Sequence, residues 1–199
     1  MLEDWQEDGV NLRSLDFTNK EKQIVLGTLL GNSSIIFPSK SKYPHLQMRE
    51  SISKGGNWIR CKAHELKKFS RPKSFIADKD SYRWNSISNI CWSQFQKLCY
   101  NNGEKFVTMK WLDQLQDLGL ACWFMDKGEL KAHSCHLRIS RLDKESVNAI
   151  SEYFEIIGIR GEVKNVGGSK VLQFQKENQI KFIKTIHHQL PLYYRLKIS

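Results

Sequence analysis

The sequence lacks any apolar run that approaches the roughly 20 residues needed to cross a bilayer. It also lacks a recognisable secretory leader, and its first residues are not basic and acid-poor as in a transit peptide. It has five cysteines, an odd number, so we expect reduced thiols and no structural disulfide. These absences favour an intracellular protein that is not secreted.

Spacings typical of a zinc site are also missing. Cys135 lies close to His133 and His136, but no second CxxC or HxxxH motif accompanies this cluster. The sequence therefore predicts no metal site built on cysteine and histidine.

Acidic residues are scarce relative to basic ones. The chain has 31 Lys and Arg against 21 Asp and Glu, a formal net charge of +10. Five of the acids lie within residues 1–16, which we predict to be an acidic N-terminal arm, either solvated or docked on a protein partner. The remaining body is strongly basic, which favours a polyanionic partner. With 199 residues and 40% hydrophobic content, that body can bury its own core.

The chain repeats one order of predicted elements, with halves at residues 17–105 and 106–199 and a hinge at 101–110. In each half a long helix comes first, and Thr18 with Glu21 forms a capping box for the first of them, which we expect to end near Asn32. The first half then continues with strands at 35–37, 46–51 and 82–88 and helices at 54–70 and 92–100. The second half has helices at 111–126, 142–157 and 176–188, a strand at 135–140 and a hairpin at 161–175 that turns at Gly167 and Gly168.

Two segments carry a family resemblance: residues 26–33, which read LGTLLGNS, and residues 120–128, which read LACWFMDKG. They resemble the paired signature helices of LAGLIDADG homing endonucleases, in particular the monomeric, two-motif, intron-encoded type. The resemblance implies a mixed α/β fold, a pseudo-twofold duplicated αββαββα unit whose antiparallel sheets form a concave saddle. It also implies a monomer in which the two signature helices pack together, at Gly27 and Gly31 on one helix and Cys122 and Asp126 on the other.

In that family the acid that ends each signature helix holds divalent ions, which cut both DNA strands. The matching positions here are Asn32 and Lys127, so both acids are lost. Lys105 and Arg195 match the basic active-site positions of the first and second halves and keep their charge. An amide is a weak ligand and an ammonium repels cations, so we expect no bound metal. Mg²⁺ would be a cofactor only if the protein were an active endonuclease.

Two nearby acids are candidates for replacing the lost carboxylates. Asp126 is adjacent to Lys127, but one residue along a helix rotates a side chain by about 100°, away from the catalytic position. Glu129, just past the helix, is the better candidate for a substitute ligand. The sequence also leaves open that Asn32 is an engineered replacement of a natural Asp.

On this fold, alternate side chains of the strands face the nucleic acid. Lys62, Lys67, Lys68, Arg71 and Lys73 are assigned to phosphate contact or solubility, and the tryptophans to the core. The predicted base-facing residues are donor-rich: Gln47, Arg49, Arg83, Asn85, His136, Arg138, Lys164, Gln173 and Gln175.

The leading functional hypothesis is a non-cleaving LAGLIDADG protein that binds duplex DNA or structured RNA sequence-selectively, as maturases and repurposed regulators of this family do. One alternative is an active homing endonuclease or nickase, and another is a structural RNA-binding protein of a ribonucleoprotein. Family relatives occur in organelles, bacteria and phages, so mitochondrion, chloroplast and bacterial or phage-infected cytoplasm all remain open. The sequence also leaves the target sequence and the choice between DNA and RNA open.

Overall fold

A computed structural model describes residues 15–39, 41–54, 56–131, 133–192 and 194–195. Residues 1–14, which make up most of the predicted acidic arm, lie outside the described residues. The first half contains, in chain order, α1 (Asn19–Leu30), β1 (Ser33–Ile36), β2 (His45–Ser51), α2 (Asn57–Glu65), β3 (Phe75–Ala77), β4 (Ser81–Asn85), α3 (Ser93–Cys99), β5 (Tyr100–Asn101) and β6 (Glu104–Lys105).

The second half contains α4 (Met109–Leu112), α5 (Asp117–Lys127), β7 (Gly128–Lys131), β8 (Ser134–Arg138), α6 (Lys144–Ile156), β9 (Glu162–Val166), β10 (Ser169–Gln175) and α7 (Lys176–His187). Each half forms a four-stranded antiparallel sheet, in the order β1-β2-β4-β3 and β7-β8-β10-β9. The two orders are equivalent, so the structure confirms the duplicated α/β fold. Helices cover one face of each sheet, with α2 on β2 and β4 and α7 on β8 and β10.

Local sequence explains where the main elements begin and turn. Thr18 and Glu21 form the predicted capping box at the start of α1, each accepting from the backbone N–H of the other. Gly167 and Gly168 both have positive φ and make the predicted turn between β9 and β10.

The predicted continuous helix from 111 to 126 is wrong, because the chain breaks between α4 and α5. Gln116 is extended at the start of α5. The side chain of Gln23, on α1, accepts from the backbone N–H of Gln116 at 2.7 Å and donates to the carbonyl oxygen of Gln114 at 2.7 Å. A side chain from the other half thus satisfies the backbone groups that the broken helix leaves unpaired.

Four strands were not predicted from the sequence: β3, β5, β6 and β7. β5 and β6 form a pair of two-residue strands, and β3 and β7 are edge strands of three and four residues. Strands this short do not complete an alternation of apolar and polar residues that can be recognised, so their sequence gives no clear signal. The edge position of β9 also explains why Val163 is 43% exposed.

The core is rich in aromatic side chains, and the tryptophans predicted to be buried all belong to it. Trp84, Trp92 and Trp111 are at most 2% exposed, and Trp58 is 8% exposed. All five cysteines are free thiols, three of them buried. None of the described helices has the length and apolar character of a bilayer-crossing segment.

Candidate nucleic-acid interface

The two halves meet where α1 crosses α5, and glycine sets how closely the helix backbones approach. A Cβ atom added to Gly27 would overlap the carbonyl oxygen of Gly119 and lie 2.9 Å from the Cβ of Cys122. A Cβ atom added to Gly31 would overlap the carboxylate of Asp126. Only residues without a side chain allow this approach. The fold therefore brings together all four residues that the sequence assigned to the helix interface.

Asp126 points into this interface and is buried, with 3% of its side chain exposed. Its Oδ1 accepts from the Lys62 ammonium at 2.6 Å and from the Trp58 indole N–H at 2.9 Å. Its Oδ2 accepts from the Thr28 hydroxyl at 2.8 Å and from the Asn32 backbone N–H at 3.2 Å. A buried carboxylate needs such partners, and here both of its oxygens are occupied by protein donors.

The assignment of Lys62 to phosphate contact or solubility is wrong. Its side chain is 2% exposed and its ammonium bonds only inward, to Asp126 and to the Thr28 hydroxyl at 2.8 Å. Trp58 and Lys62 are four residues apart on α2, so both side chains reach the same side of that helix. No local signal marks this ion pair, because its carboxylate, Asp126, belongs to the other half of the chain.

The ends of the two signature helices meet at the positions where the family pattern has acids. Asn32 follows the C-terminus of α1, and Lys127 is the last residue of α5. The side-chain amide of Asn32 donates to the carbonyl oxygen of Asp126 at 3.1 Å. Asn32 thus ties the end of α1 to the end of α5. Lys127 is half-buried, and both side chains line the same cleft.

Lys105 joins this group from the β5–β6 hairpin. Its ammonium donates to the carbonyl oxygen of Leu29, at 2.6 Å, in the last turn of α1, where the helix dipole favours a cation. It also donates to the carbonyl oxygen of Ser33, at 2.5 Å, at the start of β1. Burial and repulsion by Lys127 lower the pKa of Lys105 to about 8, and the Asp126 carboxylate opposes that shift. Two of the three N–H donors of this ammonium are used by these carbonyl oxygens.

A cleft of about 530 Å³ lies at these helix ends, between the two sheets. Its lining includes two acids, Glu50 and Asp80, but Glu50 is buried and accepts from the backbone N–H of Ile59 at 2.8 Å. Cations therefore outnumber anions, which makes the cleft attractive to an anionic ligand. The basic side chains of the lining are Arg49, Lys105, Lys127, Arg138 and Arg141.

The residues of this cleft do not fit a divalent metal ion, which prefers several carboxylate or carbonyl oxygen ligands. Across the described part of the chain, no cluster of three or more His, Cys, Asp or Glu side chains is arranged as a metal site. Asp126 is taken up by protein donors. Glu129 lies on β7 beside Lys131, at 3.8 Å, and Arg138, at 3.9 Å, rather than among the residues that line the cleft.

The open face of the first sheet carries the four predicted base-facing residues of that half. Gln47 on β2 is opposite Asn85 on β4 and donates to its side-chain oxygen at 3.1 Å. Arg49 is opposite Arg83 in the same register, and Arg83 also pairs with Asp78 at 2.8 Å. Two directly opposed cations repel each other unless an anion lies between or above them.

On the open face of the second sheet, some of the predicted side chains are buried or already paired. His136 on β8 is opposite Gln173 on β10, whose side-chain amide lies 3.0 Å from His136 Nε2. His136 is only 3% exposed, although its side chain is on the predicted face, and burial lowers its pKa, which favours the neutral ring. Lys164 is exposed but pairs with Glu162 at 2.8 Å. Arg138 and Gln175 are exposed on the same face.

The structure changes the set of basic residues assigned to the cleft at two positions, Arg195 and Arg141. Arg195 lies outside the cleft lining, and its Nε donates to the carbonyl oxygen of Leu190 at 2.7 Å. Arg141, which sequence reasoning did not single out, lines the cleft from the turn after β8 and has a positive φ of 71°. A non-glycine residue rarely adopts this conformation, but nothing in the sequence marks it in advance.

Comparison with known proteins identifies the family. A sequence profile of the LAGLIDADG DNA endonuclease family matches residues 22–182, so the chain belongs to that family. No curated protein sequence matches it.

Several solved structures share the fold at low sequence identity. The homing endonuclease I-WcaI bound to its DNA recognition sequence has a TM-score of 0.81 at 15% identity, over 94% of this chain and 89% of that chain. I-DmoI in complex with DNA and Ca has a TM-score of 0.61 at 14% identity, over 91% and 98%. Full-length DUF199/WhiA from Thermatoga maritima has a TM-score of 0.55 at 14% identity, over 94% and 62%.

Proposed function

We propose that this protein binds double-stranded nucleic acid sequence-selectively and does not cleave it. The observation that carries the proposal is the chemistry of the two signature-helix ends, an amide at Asn32 and an ammonium at Lys127. These residues leave a divalent ion without carboxylate ligands while the surrounding cleft keeps its positive charge. The protein therefore retains the means to hold a phosphate backbone but not the means to activate water on a metal.

Binding is supported by the two open sheet faces on either side of the cleft. Each presents amide and guanidinium side chains on alternate residues, the groups that hydrogen-bond base edges in a major groove. Arg49 and Arg83 are opposed cations of which only Arg83 is paired with Asp78 here, so a phosphate would add a counter-charge beside Arg49. The proposed direct readers of the sequence are Gln47, Arg49, Arg83, Asn85, Arg138, Gln173 and Gln175, with His136 and Lys164 at the margins of the second sheet.

Duplex DNA is the proposed first ligand, since I-WcaI and I-DmoI are both described as bound to DNA. A biological role without cleavage would be that of a maturase-like or regulatory protein, in which case structured RNA is the competing ligand. The proposed active form is a monomer, because each half already supplies one signature helix to the shared seam.

Binding selection on randomised DNA duplexes and on a structured RNA library tests the ligand directly. We expect enrichment of a DNA sequence, with affinity that falls steeply with salt, as phosphate contacts require. Enrichment confined to the RNA library would overturn the assignment to DNA, and no enrichment on either polymer would overturn the proposed function.

Cleavage is tested by incubating the selected duplex with Mg²⁺ or Mn²⁺ and mapping nicks at nucleotide resolution. We expect intact strands. Nicking that disappears in Glu129→Gln would show that the protein is an endonuclease with an unconventional ligand. Glu152→Gln, an exposed carboxyl-to-amide change on α6, is the matched control.

A further inference from the structure

A buried histidine contacts one of the side chains proposed to read the sequence on the second sheet. His136 on β8 is 3% exposed, so its ring offers almost no surface to a base edge. Its Nε2 lies 3.0 Å from the side-chain amide nitrogen of Gln173, the residue opposite it on β10. The Ser134 hydroxyl, two residues earlier on the same strand face, lies 3.2 Å from the same ring nitrogen. Direct base contact does not explain this arrangement.

The polarity of the contact fixes which ring nitrogen of His136 carries the proton. The side-chain amide nitrogen of Gln173 is a donor, so His136 Nε2 accepts, and the proton of the neutral ring lies on Nδ1. Burial lowers the pKa of His136, which favours the neutral ring. Nδ1 is itself buried and has no hydrogen-bond partner among the described residues. An unbonded buried donor is unfavourable, so the ring keeps its bond to Gln173 at the expense of Nδ1.

A second hydrogen bond extends this arrangement toward the surface. The side-chain amide of Gln175 donates to the side-chain oxygen of Gln173 at 3.2 Å. Gln173 is partly buried and Gln175 is exposed, and the two lie on the same face of β10. An amide has its oxygen on one side and its two N–H donors on the other. His136 therefore determines which way the Gln173 amide faces, and Gln173 does the same for Gln175.

Building on the proposed function, we propose that His136 is a positioning residue for sequence recognition. It holds the amide of Gln173, and through it the amide of Gln175, in one orientation, so that the second sheet presents a fixed pattern of donors and acceptors. A glutamine reads a base through one donor and one acceptor, and turning the amide over exchanges the two. His136 thus sets base preference without touching the nucleic acid.

The proton position on His136 can be measured without any ligand. Nitrogen NMR spectra of the isotope-labelled histidine rings at neutral pH show which ring nitrogen is protonated, and His136 is assigned by the loss of its signals in His136→Gln. We expect the proton on Nδ1. A proton on Nε2 would overturn the inference, because that nitrogen could then not accept from Gln173.

Base preference is measured by binding selection on randomised DNA duplexes, read position by position from the enriched sequences. Gln173→Met first identifies the positions that this glutamine reads. His136→Phe keeps an aromatic ring but has no acceptor for the Gln173 amide. At the identified positions we expect it to lower the discrimination between bases by on the order of tenfold. The other positions of the site and the dependence of affinity on salt should stay the same.

Two further variants separate positioning from folding, and circular dichroism checks that each variant is folded. His136→Gln places a side-chain oxygen near the place of Nε2, so it should retain more of the base preference than His136→Phe. His187→Phe makes the same change at an exposed position on α7, on the helical side of the second half. It is the matched control and should leave the preference unchanged at every position.

The outcomes distinguish this inference from the proposed function on which it rests. The positioning role is overturned, and the binding function stands, if the unmodified protein selects a sequence but Gln173→Met alters no position of it. The same conclusion follows if folded His136→Phe keeps the original preference at the positions that Gln173 reads. If neither the unmodified protein nor His187→Phe selects any sequence, the proposed function itself fails.

Discussion

Asp126 and Lys127 are neighbours on one helix, yet they lie in opposite environments. Asp126 points into the helix seam, where four donors and no solvent surround it. Lys127 is half-buried and faces a solvent-accessible cleft rich in other cations. One step along a helix turns a side chain by about 100°, and that rotation separates a buried, paired charge from one that lines the cleft.

Removing each of the two charges should therefore have a different effect on the stability of the fold. A buried ion pair adds little stability compared with an apolar replacement, but removing one partner leaves the other charged and unpaired in the interior. A half-exposed lysine is largely solvated, so its removal costs the fold little. Stability should depend on Asp126 and ligand affinity on Lys127.

Asp126→Asn is expected to give the largest effect. It leaves the Lys62 ammonium buried without its carboxylate, and we expect the free energy of unfolding to fall by about 3–5 kcal/mol. Adding Lys62→Met to Asp126→Asn removes the orphan charge and should recover a large part of that loss. The measurement is urea unfolding at equilibrium, followed by tryptophan fluorescence.

Lys127→Met is the companion substitution, because it removes the neighbouring charge, which lines the cleft. Its free energy of unfolding should stay within about 1 kcal/mol of the unmodified protein. Equal destabilisation by Asp126→Asn and Lys127→Met would remove the distinction between a structural charge and a binding one.

Gly27→Ala tests the close approach that creates the seam. The added Cβ would meet the backbone of Gly119, which cannot move without shifting α5. Overpacking of this kind costs about 1–3 kcal/mol, against a gain of about 1 kcal/mol in helix propensity. We therefore expect a net loss of stability by differential scanning calorimetry.

Gly119→Ala is the matched substitution on the partner helix. Its added Cβ would come within 3 Å only of side-chain atoms of Gln23 and Leu115. The backbone of α1 need not shift, although Gln23 Oε1 would have to move from its hydrogen bond to the Gln116 N–H. It should cost less than Gly27→Ala. A reversed order would mean that side-chain packing, rather than backbone contact, sets the distance between the helices.

Much of this architecture was predictable from local sequence. The capping box at Thr18, the alternating strand at 46–51 and the diglycine turn at 167–168 are each set by residues close together in the chain. The paired GxxxG-like and WFMDKG segments were specific enough to indicate the duplicated fold and its seam.

The features that could not be predicted from the sequence depend on contacts between residues far apart in the chain. The break between α4 and α5 is stabilised by Gln23, more than ninety positions earlier. Lys62 looked like a surface lysine because its partner, Asp126, belongs to the other half. The closed environment of His136 likewise comes from its partner across the sheet, Gln173. Each of these is a tertiary interaction, which local sequence propensity does not predict.

The smallest expected effect is a pH dependence that comes from Lys105 in the cleft. Raising the pH should increase the free energy of unfolding but weaken duplex binding. The pKa of Lys105 is about 8 in the folded protein against an ordinary value of 10.5, through burial and repulsion by Lys127, opposed by Asp126 and Cys99. Between pH 8 and 10.5 the unfolded chain therefore binds more protons at this site than the folded one, so its contribution to the free energy of unfolding rises with pH.

Binding should change in the other direction, since deprotonation removes a cation from the phosphate site. From pH 7 to pH 9 we expect duplex affinity to fall several-fold, with a salt slope shallower by up to about one. In Lys105→Met no ammonium is present at this position to lose a proton. Its duplex affinity should depend less on pH, and its free energy of unfolding should not show the rise expected for the unmodified protein. If Lys105→Met shows the same pH dependence as the unmodified protein in both measurements, the titrating group lies elsewhere, and Lys105 serves only to join β6 to the end of α1.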